Sequence, residues 1–107
     1  MTHASIAQLA AARADGAVVI DVREPGEYVG GHVPGAILMP MAQLPSRVAE
    51  LDRTRPVWVI CASGNRSQAM ASYLAHAGFD ARTVDGGTSE WIRSGHPVVT
   101  GLRADAA

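Results

Sequence analysis

Four short runs of apolar residues constrain this chain more than any other feature. They are Ala17-Val18-Val19-Ile20-Asp21-Val22, Ala36-Ile37-Leu38-Met39, Val57-Trp58-Val59-Ile60 and Ala81-Arg82-Thr83-Val84. Each is nearly continuous rather than alternating, which predicts strands covered on both faces. Helical patterns lie between them. Ser5 opens the first, with Gln8 three residues later as a capping box, and Ile6, Leu9 and Ala10 then share a face up to Gly16. Leu44, Val48 and Leu51 recur at helical spacing, with Pro45 suited to a first turn. Ala69, Met70, Tyr73, Leu74 and Ala77 form an apolar stripe closed by Gly78. Thr88 to Arg93 reads as a short last helix, and Glu24 to Gly31 as a segment holding one helical turn. Strands alternating with helices predict an α/β fold: a mainly parallel sheet of four to five strands with helices on both faces.

The 107 residues suffice for one domain with one ordinary core, placed at about residues 5–100. The tail, 101–107, is expected to fray. With 48% apolar and 18% charged residues, the composition is that of a globular chain. A net charge of −1 with no long run of one sign argues against a broad nucleic-acid face. No segment has the length to cross a bilayer, and the start MTHASIAQL lacks a charged region leading into an apolar stretch. The expectation is a soluble, cytoplasmic protein without membrane or nucleic-acid partners.

The single cysteine, Cys61, cannot form an internal disulfide, which fits a reducing compartment. His3, His32, His76 and His96 are scattered, so no metal-ligand spacing arises. Neither a GxGxxG nor a Walker-type loop is present. No metal and no cofactor are expected.

The segment that carries chemistry is Val57-Trp58-Val59-Ile60-Cys61-Ala62-Ser63-Gly64-Asn65-Arg66-Ser67. An apolar strand runs into Cys61, a loop of small residues follows, and a helix begins. Ligands of open α/β sheets bind beyond the carboxyl ends of the strands, where Cys61 lies. Gly64 permits backbone conformations that other residues resist. Ala62, Ser63 and Asn65 are small enough for a tight curl whose N–H groups converge as an anion nest. The helix start adds unpaired N–H groups, and Arg66 adds a fixed positive charge. Each favours a thiolate at Cys61, while burial at the strand end opposes it. A lone cysteine after an apolar strand is ordinarily a small buried hydrophobe. The Gly, Arg and helix start that follow Cys61 reverse that reading.

In these residues the sequence resembles the rhodanese (thiosulfate sulfurtransferase) family in its single-domain form. Three blocks carry the resemblance, which spans about Ser5 to Val98. They are Val19-Ile20-Asp21-Val22-Arg23-Glu24-Pro25-Gly26-Glu27-Tyr28 with Gly31-His32-Val33-Pro34-Gly35-Ala36, then Cys61 to Ser67, then Asp85-Gly86-Gly87 with Trp91. The resemblance implies a rhodanese-like fold and a sulfurtransferase. Cys61 would take a sulfane sulfur from thiosulfate, a persulfide or a polysulfide, and pass it from a Cys61 persulfide to a thiol acceptor or a sulfur-accepting protein. Ala62, Ser63, Gly64, Asn65, Arg66 and Ser67 would bind the donor, the loop N–H groups holding the charged sulfur. Asp21, Arg23 and His32 would support the loops, Gly86 and Gly87 would let backbone approach the Cys61 loop, and Trp91 would pack the core.

Two alternatives belong to other classes. A cysteine phosphatase or arsenate reductase needs one more residue between Cys and Arg than the four between Cys61 and Arg66, to cradle a tetrahedral oxyanion. The shorter loop suits sulfur. A non-catalytic binding or regulatory module of the same family is the other; retention of Cys61, Gly64 and Arg66 argues for catalysis. Position 62 is Ala where the family often has a basic or long polar residue. Arg66 is then the loop's one cationic side chain, and a donor of low charge is expected to be favoured over thiosulfate.

Overall fold

The computed structural model describes residues 1–105. Its sheet has five strands: β1 (Thr2–Ala4), β2 (Val18–Asp21), β3 (Ile37–Leu38), β4 (Val57–Ile60) and β5 (Ala81–Val84). All neighbours are parallel, in the order β1-β5-β4-β2-β3. The helices are α1 (Ile6–Ala14), α2 (Pro25–Val29), α3 (Leu44–Arg47), α4 (Asn65–His76) and α5 (Gly87–Arg93). The α/β architecture matches the expectation from the apolar runs.

Side-chain alternation along β4 divides the core into two layers. Val59 and Cys61 turn to the face carrying Leu44 of α3 and Ala71 and Leu74 of α4. Trp58 and Ile60 turn to the other face, against Ile6 and Leu9 of α1 and Trp91 of α5. All four β4 side chains are buried, as a strand covered on both faces requires. The capping box at Ser5 forms: Gln8 N donates to Ser5 Oγ at 3.1 Å and Ser5 N to Gln8 Oε1 at 2.8 Å. Among the described residues no helix is long and apolar enough to cross a membrane.

Three local expectations are corrected. First, the fifth strand is Thr2–Ala4, which carries no apolar run. It is a three-residue edge strand whose pairing with β5 decides its conformation. Second, the Leu44/Val48/Leu51 pattern does not make one helix. Four α-helical residues give way to a 3-10 turn at Val48–Glu50. Third, the tail is docked as far as it is described. Gly101 N donates to Val29 O at 2.9 Å, and Gly35 N to Ala104 O at 2.8 Å. The buried His32 ring meets Arg103 O at 2.7 Å. Those backbone bonds, absent from any local pattern, offset the entropy that would fray it. Residues 106 and 107 lie outside the described part.

The strand order fixes the position of the site. From β2 the chain goes outward to β3, then crosses back over β2 to β4 and on to β5. The connections diverge between β2 and β4, and loops at such a switch point leave a crevice at the carboxyl ends of the strands. Asp21 ends β2 there, in register with Ile60, and Cys61 follows Ile60 directly.

Candidate active site

Cys61 leaves β4 fully buried, and the chain curls through Ala62, Ser63 and Gly64 before α4 begins at Asn65. Gly64 makes that curl possible. It is the N-cap of α4 with φ of +114°, in the left-handed region that side chains resist. In this conformation Gly64 N–H donates to Cys61 Sγ at 3.1 Å.

The start of α5 holds the loop from behind. Thr88 N–H and its hydroxyl donate to Cys61 O at 2.8 and 3.1 Å, and Ser89 N–H donates to Ala62 O at 3.0 Å. In a trans peptide the N–H points opposite to the carbonyl. With the Ala62 carbonyl drawn toward α5, Ser63 N–H turns toward the sulfur. Gly87 allows this contact. A Cβ there would lie 2.5 Å from Cys61 O and 2.6 Å from Ala62 O, and its φ is +59°. Gly86, with φ of +81°, has its own N 3.7 Å from where a Cβ on Gly64 would sit.

Two opposing effects set the state of Cys61. Burial raises its pKa. Hydrogen bonds from the Ser67 hydroxyl and from the N–H groups of Ser67, Gly64 and Ser63 lower it, and the net result is a thiol below its ordinary value. Ser67 is buried on the first turn of α4, where its hydroxyl donates to Gly64 O at 3.2 Å and lies 2.8 Å from Thr83 Oγ1. Thr83, on β5, can donate to Ser67 Oγ, which leaves the one Ser67 proton to Gly64 O and the Cys61 sulfur as its two acceptors. Thr83 has no counterpart in the sequence reasoning; its position within an apolar run disguised it as core.

Arg66 is engaged. Its guanidinium makes a two-pronged ion pair with Glu27 of α2, Nη1 to Oε1 at 2.7 Å and Nη2 to Oε2 at 2.9 Å. The pair lowers the Glu27 pKa to about 2 and raises that of Arg66. Both side chains remain about a third exposed, at 36% and 35%. Glu27 was quoted in the first sequence block without a role.

The remaining predicted residues surround this centre. Asp21 and Arg23 are buried and paired, Nη2 to Oδ2 at 2.8 Å, and Arg23 also donates to Gly31 O at 2.9 Å. The pair ties the carboxyl end of β2 to the segment after α2. His32 stacks on Tyr28 with ring centroids 3.6 Å apart, its Nδ1 2.9 Å from Tyr28 O and its Nε2 facing the tail. Ala62 is half-buried, and Ser63 and Asn65 are exposed at the mouth. Trp91 is buried in the α1/α5 layer and donates through Nε1 to Pro97 O at 2.7 Å. Among the described residues no cluster of His, Cys, Asp and Glu is arranged to hold a metal ion.

Comparison with known proteins bears on the fold and the family. A family model described as "Rhodanese-like domain" matches residues 5–94. The thiosulfate sulfurtransferase GlpE of Pseudomonas entomophila is 40% identical over 91 residues, covering 84% of this chain and 83% of that protein. The crystal structure of a rhodanese-related protein from Thermoplasma volcanium superposes with a TM-score of 0.88 at 35% identity, over 96% of this chain and all (100%) of that one. A thiosulfate sulfurtransferase from Pseudomonas aeruginosa gives a TM-score of 0.86 at 31% identity, over 94% of this chain but 20% of that longer one. The chain belongs to the rhodanese-like domain family.

Proposed function

We propose that the protein is a sulfurtransferase that carries sulfur as a persulfide on Cys61. The observation that carries this reading is the convergence of Gly64 N–H, at 3.1 Å, and the other loop donors on the Cys61 sulfur. They favour the thiolate, the form that attacks a sulfane sulfur. The name of the Pseudomonas entomophila relative, a thiosulfate sulfurtransferase, points the same way.

The chemistry runs in two displacements. The Cys61 thiolate attacks the outer sulfur of the donor, the Cys61 S–S bond forms, and the donor's S–S bond breaks. Sulfite leaves from thiosulfate, or a thiolate from a persulfide or polysulfide, taking the bond's electron pair. An acceptor thiolate then attacks the outer sulfur of the Cys61 persulfide, and Cys61 leaves as a thiolate. Charge and electrons balance in both steps, so neither needs a base, a metal or a cofactor. In the persulfide the charge moves to the outer sulfur, about 2 Å beyond Sγ, and the loop N–H groups are the nearest donors along the chain to hold it there. Cys61 is fully buried, and the exposed loop residues nearest to it along the chain, where a donor would arrive, are Ser63 and Asn65. A free nucleophilic thiol suits a reducing compartment, and we place the protein in the cytoplasm.

Intact-mass measurement tests the reading. Incubation with thiosulfate or glutathione persulfide is expected to add one sulfur atom, which a thiol removes. The Cys61→Ser variant is expected to gain none. Wild-type protein that gains no sulfur from either donor would overturn the proposal in favour of a binding module.

A further inference from the structure

The one cationic side chain of the Cys61 loop is held by a carboxylate from another element. Arg66 stands on the first turn of α4, two residues after the Gly64 whose N–H bonds the sulfur. Both of its Nη atoms are bound to the two oxygens of Glu27, at 2.7 and 2.9 Å. A two-pronged pair of this kind fixes the guanidinium in direction as well as neutralising it. The α2 backbone fixes Glu27 in turn, because Glu24 N donates to Glu27 Oε1 at 3.1 Å. A donor arriving at the loop therefore meets a cation and an anion together rather than a free cation. A dianion would have to displace Glu27 from Arg66 or accept its repulsion; a singly charged donor loses much less.

We propose that Glu27 is the specificity-determining residue of the site: by occupying Arg66 it selects sulfur donors of low charge, alkyl persulfides and polysulfides, against the thiosulfate dianion. This rests on the sulfurtransferase reading above and adds to it the class of donor. Glu27 touches neither sulfur nor donor; it acts through Arg66.

The test compares kcat/KM for thiosulfate and for 2-hydroxyethyl persulfide, a donor with no charged group besides the persulfide, in wild type, Glu27→Gln, Arg66→Gln and the double variant. Gln keeps the acceptor oxygen that caps α2, so Glu27→Gln removes the charge and spares the turn. The expected result is a rise of about tenfold in the thiosulfate to persulfide ratio for Glu27→Gln, steepest at low salt. That rise should vanish when Arg66→Gln is added. A merely structural role for Glu27 would lower both donors together and leave the ratio and its salt dependence unchanged, which overturns the inference. A ratio that rises equally without Arg66 also overturns it. Sulfur uptake by wild type separates the two readings. If wild type takes up sulfur and the ratio does not move, the role of Glu27 fails alone; if wild type takes up none, both fail.

Discussion

Cys61 is held between burial, which favours the thiol, and a ring of donors, which favours the thiolate, and the donors prevail. The Ser67 hydroxyl leads the lowering contributions. The Cys61 alkylation rate should therefore reach its plateau at a lower pH than that of an ordinary cysteine. Ser67→Ala removes a donor to the charged form, so its profile should shift to higher pH; an unchanged profile would assign the effect to the backbone alone. Asp21 belongs to the same scale. Asp21→Ala strands the Arg23 charge in a buried position, and a loss of about 3–5 kcal/mol in denaturant unfolding is expected. The Glu27–Arg66 pair differs because both partners are a third exposed, and its contribution to stability should be under about 1 kcal/mol. With the Glu27 pKa depressed to about 2, that contribution is present above the unfolded carboxylate value of 4.5. It fades as pH falls from there through about 2.

At the scale of elements, the site is a strand, a turn and two helix starts that brace one another. The weak point is the contact between Gly87 and the loop. Gly87→Ala puts a methyl group against the Cys61 and Ala62 carbonyls at a positive φ. A destabilisation of at least about 2 kcal/mol is expected from strain and displaced backbone. Sulfur uptake by the folded fraction should fall as the loop loses its backing, which intact mass measures. Elements whose causes are local were legible in the sequence. The β4 run, the Gly64 turn and the existence of α4 each announce themselves over a few residues. The face of α4 does not: Ser67, Ala71 and Leu74 are buried, while Ala69 and Tyr73 of the expected apolar stripe are exposed. Elements whose causes are distant were not. Thr2–Ala4 becomes a strand because β5 is beside it, and 3-10 geometry at Val48 interrupts a helical pattern that reads as continuous. The Glu27–Arg66 pair joins residues 39 apart, and the Ser67–Thr83 contact joins two different elements. No window of sequence contains either relation.

For the whole molecule, the segment after Val98 works as a strap. An antiparallel bridge joins His32 to Val99, and the His32 ring reaches on to Arg103 O. The strap covers the stretch after α2, the helix that carries Glu27, so the far end of the chain steadies one wall of the site. His32→Leu keeps much of the volume and removes the ring nitrogens that face the Tyr28 and Arg103 carbonyls, to one of which a neutral imidazole donates. About 1–3 kcal/mol should be lost. For a molecule of this size each kcal/mol corresponds to about 4–8 °C in thermal midpoint. A midpoint unchanged from wild type would show that the strap holds without the ring.

The place of β1 in the sheet also bears on how the protein is made. Among the described strands Thr2–Ala4 comes before all the others in the chain, yet its strand partner among them is Ala81–Val84, which comes after all the others. The central strands can pair while the ribosome is still adding residues, but the β5 side of the sheet stays open until Val84 has emerged. A nascent chain stalled before residue 81 would expose that side to other strands in the crowded cell.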